Sequence, residues 1–134
     1  MSVQFQEDAQ ALASPVTAVT TAETNGPQTN FLTIPYQNAK GVGFAIVFFT
    51  PAASITTITV RVRRNINAEN VIVASQVLAA GFTAGSLGAL YIGWTDPIPD
   101  NRAVQYTVTV QQAGVAANGT IAAGSMIDAT TISG

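Results

Sequence analysis

The stretch Ile58-Thr59-Val60-Arg61-Val62-Arg63 alternates β-branched and polar residues without a break. Successive side chains of a strand point to opposite faces. Ile58, Val60 and Val62 therefore share one face, and Thr59, Arg61 and Arg63 share the other. The stretch Val104-Gln105-Tyr106-Thr107-Val108-Thr109-Val110-Gln111 repeats the pattern, with Val104, Tyr106, Val108 and Val110 on its apolar side. One buried and one wetted face per strand is antiparallel-sheet behaviour. These two segments predict an all-β chain.

Working outward, Val42 to Phe49 breaks the alternation. Val42, Phe44, Ile46 and Phe48 fall on one face, and Ala45, Val47 and Phe49 on the other. Both faces are apolar. Either this is a central strand covered on both sides, or its outer face meets another subunit. Further strands are expected at Val16–Thr21, Asn30–Pro35, Val71–Leu78, Leu87–Trp94 and Thr120–Ile132. The last is rich in Ala and Gly and small on both faces, with Gly124 placed to mark a bulge or break. Turn residues separate the segments, among them Asn25-Gly26-Pro27, Asn38 to Gly41, Pro51 to Ser54, Asn65 to Asn70, Asp96 to Asn101 and Gly114 to Gly119. One turn of helix fits within Ser75–Ala84. Residues 1–14 read as an arm outside a single domain spanning 15–134. About eight strands at this spacing suit an antiparallel β-sandwich. A jelly roll is preferred to an immunoglobulin-like sandwich, whose Cys-Trp-Cys signature is missing from a chain without Cys.

Composition narrows the function. Of the 134 residues only 9% are charged, 48% are hydrophobic, and neither His nor Cys occurs. Charged residues normally make up about a quarter of a globular chain. A small monomer usually carries more charge to stay apart from its neighbours, so this balance points to a permanent oligomer or larger assembly. The net charge of −2 gives little steering toward nucleic acid. The N-terminal residues lack the basic region and apolar run of a secretion signal. No apolar run approaches a membrane-spanning helix. The single Trp and three Tyr are too few for the aromatic girdles of an outer-membrane barrel.

Chemistry is sparse. Serine catalysis lacks a His base, and Lys40 is the only Lys. The carboxylates Glu7, Asp8, Glu23, Glu69, Asp96, Asp100 and Asp128 sit mostly in expected loops or the arm, where solvation is their default. Arg61-Val62-Arg63-Arg64 is the only basic cluster. Without interleaved aromatics it reads as a solvated or salt-bridged sheet face rather than a nucleic-acid site. Asn118-Gly119-Thr120 reads as a hairpin turn rather than a glycosylation site. The most site-like segment is Trp94 to Arg102. An aromatic platform with Trp94, Asp96, Asp100, Asn101 and Arg102 would bind a sugar, or its oxygens a Ca²⁺ ion. The competing reading is a Pro-stiffened connection in which Arg102 pairs with an Asp, and it is preferred. No enzyme activity, metal or cofactor is expected.

The residues 1–15, Val16 to Glu23, Gly41 to Phe49, Ile58 to Arg64, Tyr106 to Gln111 and the small-residue C-terminal strand together resemble small single-jelly-roll virion proteins. The likeness is to bacteriophage capsid decoration and minor capsid proteins, and it rests on pattern and composition over most of the chain. It implies a homotrimer on a capsid surface that locks neighbouring subunits together. Trimeric sandwiches of the tumour-necrosis-factor-like fold are similar, with aromatic inner strands and the C-terminal strand at the threefold axis. The resemblance makes Phe5, Phe44, Phe48, Phe49, Ile121 and Met126 candidates for packing between subunits. The alternative is a carbohydrate- or receptor-binding sandwich using the Trp94–Arg102 segment.

Overall fold

A computed structural model describes residues 4–12, 17–34, 39–52, 55–66, 69–82, 85–98, 102–113 and 119–133. Its strands are β1 (Gln4–Ala11), β2 (Thr17–Val19), β3 (Thr24–Gln28), β4 (Lys40–Thr50) and β5 (Ile55–Asn65). They continue with β6 (Val71–Phe82), β7 (Gly88–Pro97), β8 (Gln105–Gln112), β9 (Gly119–Ile121) and β10 (Met126–Ser133). Two antiparallel sheets form. In the first, β1 pairs β10, β10 pairs β4, and β7 lies on the other side of β4. The end of β4 also pairs β9, which pairs β2. The second sheet runs β3-β8-β5-β6. Apart from the short β2 and β9, each sheet holds four main strands, and connections cross repeatedly between them. This is the jelly-roll arrangement.

Alternation builds the core. Ile58, Val60 and Val62 of β5 and Tyr106, Val108 and Val110 of β8 face Ala45, Val47 and Phe49 of β4 and Leu90, Ile92 and Trp94 of β7, all buried. Strand β7 is the cleanest case, with every second residue buried from Leu90 to Asp96. The two faces of Val42 to Phe49 are thus resolved: Ala45, Val47 and Phe49 belong to the core, and Val42, Phe44, Ile46 and Phe48 face outward.

Several sequence expectations are corrected. Residues 4–11 are not an arm but an edge strand, paired along its length with β10 from Gln4↔Ser133 to Ala11↔Met126. Its mixed polar sequence hides this, because an edge strand needs backbone partners more than an apolar face. Asn25-Gly26-Pro27 lies within β3, where Gly26 and Pro27 are buried. The β3–β8 register shifts between Asn25 and Gln28, and such an irregularity accommodates Pro in a sheet. The described residues of the expected strand Asn30–Pro35, 30–34, form only an isolated bridge, Leu32↔Val104, and Pro35 lies outside the described residues. Ser75–Ala84 holds no helical turn among its described residues; β6 continues to Phe82. The expected C-terminal strand divides into β9 and β10. Gly124 supplies a positive φ of 94° at the turn between them. Ser125 fixes that turn by accepting from the Phe48 amide and donating to the Ala122 carbonyl, both at 2.9 Å.

Candidate functional site

The first sheet carries an apolar outer face. Ladder pairing places Met126 beside Ile46 and Ile46 beside Tyr91. The next row is Asp128, Phe44 and Gly93, and the row beyond is Thr130, Val42 and Thr95. Phe44 is 50% exposed and Tyr91 64% exposed. Gly93 has no side chain to shield the Phe44 ring from that direction. Of the six residues expected at subunit contacts, Phe44, Phe48 and Met126 lie on this outer face. Phe49 and Ile121 do not: both are fully buried within the chain's own core. Strand parity separates Phe48 from Phe49, and Ile121 enters the core because β9 pairs with the end of β4. Phe5 pairs with Ile132 along β1, and its side chain lies outside the described residues. Tyr91 was missed, although its place in Leu87–Trp94, out of phase with Leu90 and Ile92, marks it as outward.

A second apolar surface runs along the open edge formed by β6. This strand has no charge and no Pro, and among the described residues it pairs only with β5. Val71, Ile72 and Val77 are exposed on it, Val77 at 61%, and the exposed Leu87 precedes the neighbouring β7. Natural edges usually carry charge or Pro to prevent pairing with other chains.

The Trp94–Arg102 segment is not an exposed loop at its start. Trp94 to Pro97 are the last residues of β7, and Trp94 and Asp96 point into the sandwich, only 6% and 4% exposed. Trp94 lies against Tyr106 with ring centroids 5.2 Å apart and is no platform for a sugar. Asp96 accepts from Arg64 Nη1 and from the Tyr106 hydroxyl, each at 2.9 Å. Arg64 Nε also donates to Glu69 at 2.8 Å. Arg102 is exposed, and Asp100 and Asn101 lie outside the described residues. Within that segment, Asp96 is part of a structural clamp and Trp94 packs against it. Arg64 reaches from the second sheet to Asp96 in the first.

Burial pushes the Asp96 carboxyl above its ordinary range, against the pull of the Tyr106 hydroxyl and the Arg64 charge. Burial also raises the Tyr106 phenol, reinforced by the Asp96 charge beside it. The phenol fits because Gly41 lies opposite Asp96: a Cβ on Gly41 would come within 1.8 Å of the Tyr106 oxygen. A sequence signal for the clamp existed. Arg64 continues the inward row Ile58, Val60, Val62, and Asp96 continues Leu90, Ile92, Trp94.

The outer face of the second sheet is polar across β3, β8 and β5, and carries the exposed Ile72 and Val77 where β6 pairs with Arg63 and Thr59. Arg63 grips Glu23 through Nε and Nη2 at 2.9 and 2.7 Å, and the Thr109 hydroxyl donates to the same carboxylate. Arg61 approaches Glu23 at 3.7 Å and donates to Gln111 at 2.8 Å. The Arg63 hydrogen bonds hold the Glu23 carboxyl below the usual carboxylate range, outweighing its partial desolvation. Beside this pair lies an open cleft of about 350 Å³ whose described lining residues are all polar.

No family model and no curated protein matches the chain. Solved structures do match in fold. Eiger TNF from S. frugiperda superposes with a TM-score of 0.58 at 8% identity, over 96% of this chain and 91% of that one. Murine APRIL gives a TM-score of 0.60 at 10% identity, over 95% of this chain and 98% of that one. A chain of the Gt strain of infectious bursal disease virus gives 0.53 at 8% identity, over 97% of this chain and 35% of that one. At these identities the likeness is one of fold. The chain is an antiparallel jelly-roll sandwich similar in fold to these cytokine and virus structures, with an exposed apolar face on one sheet and a polar cleft on the other.

Proposed function

We propose that this chain is a structural virion protein, a capsid decoration or minor capsid protein without enzyme activity, that works through its interfaces as a homotrimer on the capsid surface. The observation that carries the reading is the exposed apolar face of the first sheet, centred on Phe44 and Tyr91. Burying such a face stabilises a contact by about 25 cal/mol per Å² of apolar surface. A face of this kind, rimmed by polar residues, marks an interaction surface in an otherwise soluble sandwich.

The face does not stand alone. The uncharged β6 edge is a second apolar surface of different shape. Two different patches on one molecule fit a head-to-tail contact, which closes into a ring when the rotation allows. Three copies make the small ring that the jelly-roll resemblance implies. The low charge of the whole chain supports assembly over a monomeric life. The fold shared with the bursal disease virus chain agrees with a virion setting, as do the bare chemistry and the neutral surface.

Static light scattering at micromolar concentration tests the assembly. The expected mass is that of three 13.8 kDa chains. The double variant Phe44→Asp with Tyr91→Asp is expected to return the mass of one chain, because two carboxylates would be buried without partners. A monomeric parent chain, or a variant that keeps the parent's mass, overturns the interface. The virion setting is tested by mass spectrometry of particles purified from the source culture. Its peptides in stoichiometric amount support it, and their absence from the particles overturns it.

A further inference from the structure

We infer that the polar cleft on the second sheet is a binding site for a neutral saccharide. The cleft opens on the outer face of the second sheet, away from the Phe44 and Tyr91 face of the first, so the inference does not rest on that contact; the β6 edge, whose Ile72 pairs with Arg63, borders it. Among the described residues, five of the nine that line it are amides, namely Asn25, Gln28, Asn65, Asn70 and Gln105, and none of the nine is aliphatic or aromatic. A carboxamide offers two donors and one acceptor oxygen in a plane. A sugar's adjacent hydroxyls each give and accept a hydrogen bond, and a set of amides answers that pattern. A face kept merely soluble would more commonly carry Lys and Glu.

The floor is ordered before any ligand arrives. Gln28, Thr107 and Arg63 form one register row across β3, β8 and β5. Gln105 Nε2 donates to the Thr29 carbonyl at 2.9 Å. At the rim Asn70 holds a left-handed conformation with φ of 55°, and its carbonyl accepts from Arg63 Nη1 at 3.3 Å. Non-glycine residues in that region are uncommon, and Asn is among the few that tolerate it. Such prearranged groups reduce the ordering cost of binding.

The charge balance selects the class of ligand. The Arg63 guanidinium is already engaged, with Nε and Nη2 on Glu23 and Nη1 on Asn70. It therefore has little to offer a phosphate or a carboxylate, and the Glu23 carboxylate repels both. A neutral ring of hydroxyls meets neither obstacle. The volume of about 350 Å³ is at the lower end of ligand sites and suits one or two sugar units. With no aromatic platform among its described residues, a single site is expected to bind on the order of millimolar, with repeated copies adding avidity.

The test is ligand-observed NMR with the full chain against a panel of neutral and acidic mono- and disaccharides, each to about ten times a millimolar Kd. Saturable binding of at least one neutral sugar is expected. It should weaken at least tenfold in the Gln28→Ala, Thr107→Val double variant and in Asn25→Ala. It should persist in the Phe44→Asp, Tyr91→Asp variant, which separates this site from the assembly face. Unchanged thermal unfolding of Asn25→Ala guards against a folding artefact. Binding of no sugar, binding of acidic sugars alone, or binding indifferent to all three cleft substitutions overturns the inference.

Discussion

On β4 the residues turned away from the core are Val42, Phe44, Ile46 and Phe48, whereas on β8, in the opposite sheet, they are Gln105, Thr107, Thr109 and Gln111. Both strands are central, both are flanked by paired neighbours, and both bury their alternate residues completely or nearly so. Their inward rows, Ala45-Val47-Phe49 and Tyr106-Val108-Val110, do the same physical job. The fold therefore cannot account for the difference between the outward rows. An antiparallel sheet needs only one apolar face, and β8 has one. The second apolar face of β4 is surplus to folding, and surplus apolar surface on a sheet is the mark of a contact. The outward row of β8 shows that a central strand of this sandwich folds equally well with polar residues there.

The inner faces of both sheets form one shared core, and its most sensitive point is the Arg64–Asp96 clamp. Asp96→Ala leaves the Arg64 guanidinium mostly buried with one partner removed and strips the Tyr106 hydroxyl of its acceptor. The expected loss of stability is about 3–5 kcal/mol, read by urea denaturation. Asp96→Asn, which keeps an acceptor oxygen but drops the charge, should cost less than Asp96→Ala. A loss below about 1 kcal/mol for Asp96→Ala would mean that Arg64 turns out to solvent. The two sheets would then be held by apolar contact alone.

How far the sequence discloses these faces depends on what each residue is asked to do. Ile58 to Arg63 and Val104 to Gln111 show their strands plainly, because a half-buried strand writes its two environments into alternate letters. Val42 to Phe49 shows that two apolar faces exist but not which is core. That choice is made by β7 and β10, which fix the register from outside the segment. Trp94 and Asp96 mislead for a related reason. Aromatic and acidic residues near Pro look like a loop site, but the period of two set by Leu90 and Ile92 runs on through Asp96. The clamp stays hidden because Arg64, Asp96 and Tyr106 meet only once two sheets are stacked. Strand β1 is silent, since its contribution is made through backbone hydrogen bonds that no side-chain pattern records. Glu23 is equally silent, its partners lying on β5 and β8.

Glycines sharpen the contrast between inside and outside. Gly41→Ala puts a methyl group into the Tyr106 phenol on the core side of β4. The expected cost is about 1–3 kcal/mol, the range for overpacking a core. Combining it with Tyr106→Phe should recover part of that loss, and a double-mutant cycle measures the recovery. Gly93→Ala is the outer-face control. Its new methyl would meet only the Gly43 carbonyl at 3.6 Å, an ordinary contact, so no more than about 0.5 kcal/mol of change is expected. Equal costs at the two glycines would remove the distinction between a packed inner face and an open outer one.

A comparably small effect belongs to the polar face itself. Glu23 joins β5 and β8 through Arg63 and Thr109 while remaining partly open to water. Water screens such a pair, so Glu23→Gln should cost only about 0.2–1 kcal/mol at neutral pH. The sign of its pH dependence follows from the lowered carboxyl. A group whose folded value lies below its unfolded one binds fewer protons when folded. Its contribution is complete above the ordinary value of 4.5 and is lost as the pH falls through the lower folded value. The stability gap between the parent chain and Glu23→Gln should thus be constant from pH 7 to about 5 and close below it. Urea midpoints taken across that range are the measurement. A gap that stays open in strong acid would mean that the bidentate geometry stabilises the face without its charge. The polar sheet would then be held by shape, as the apolar one is.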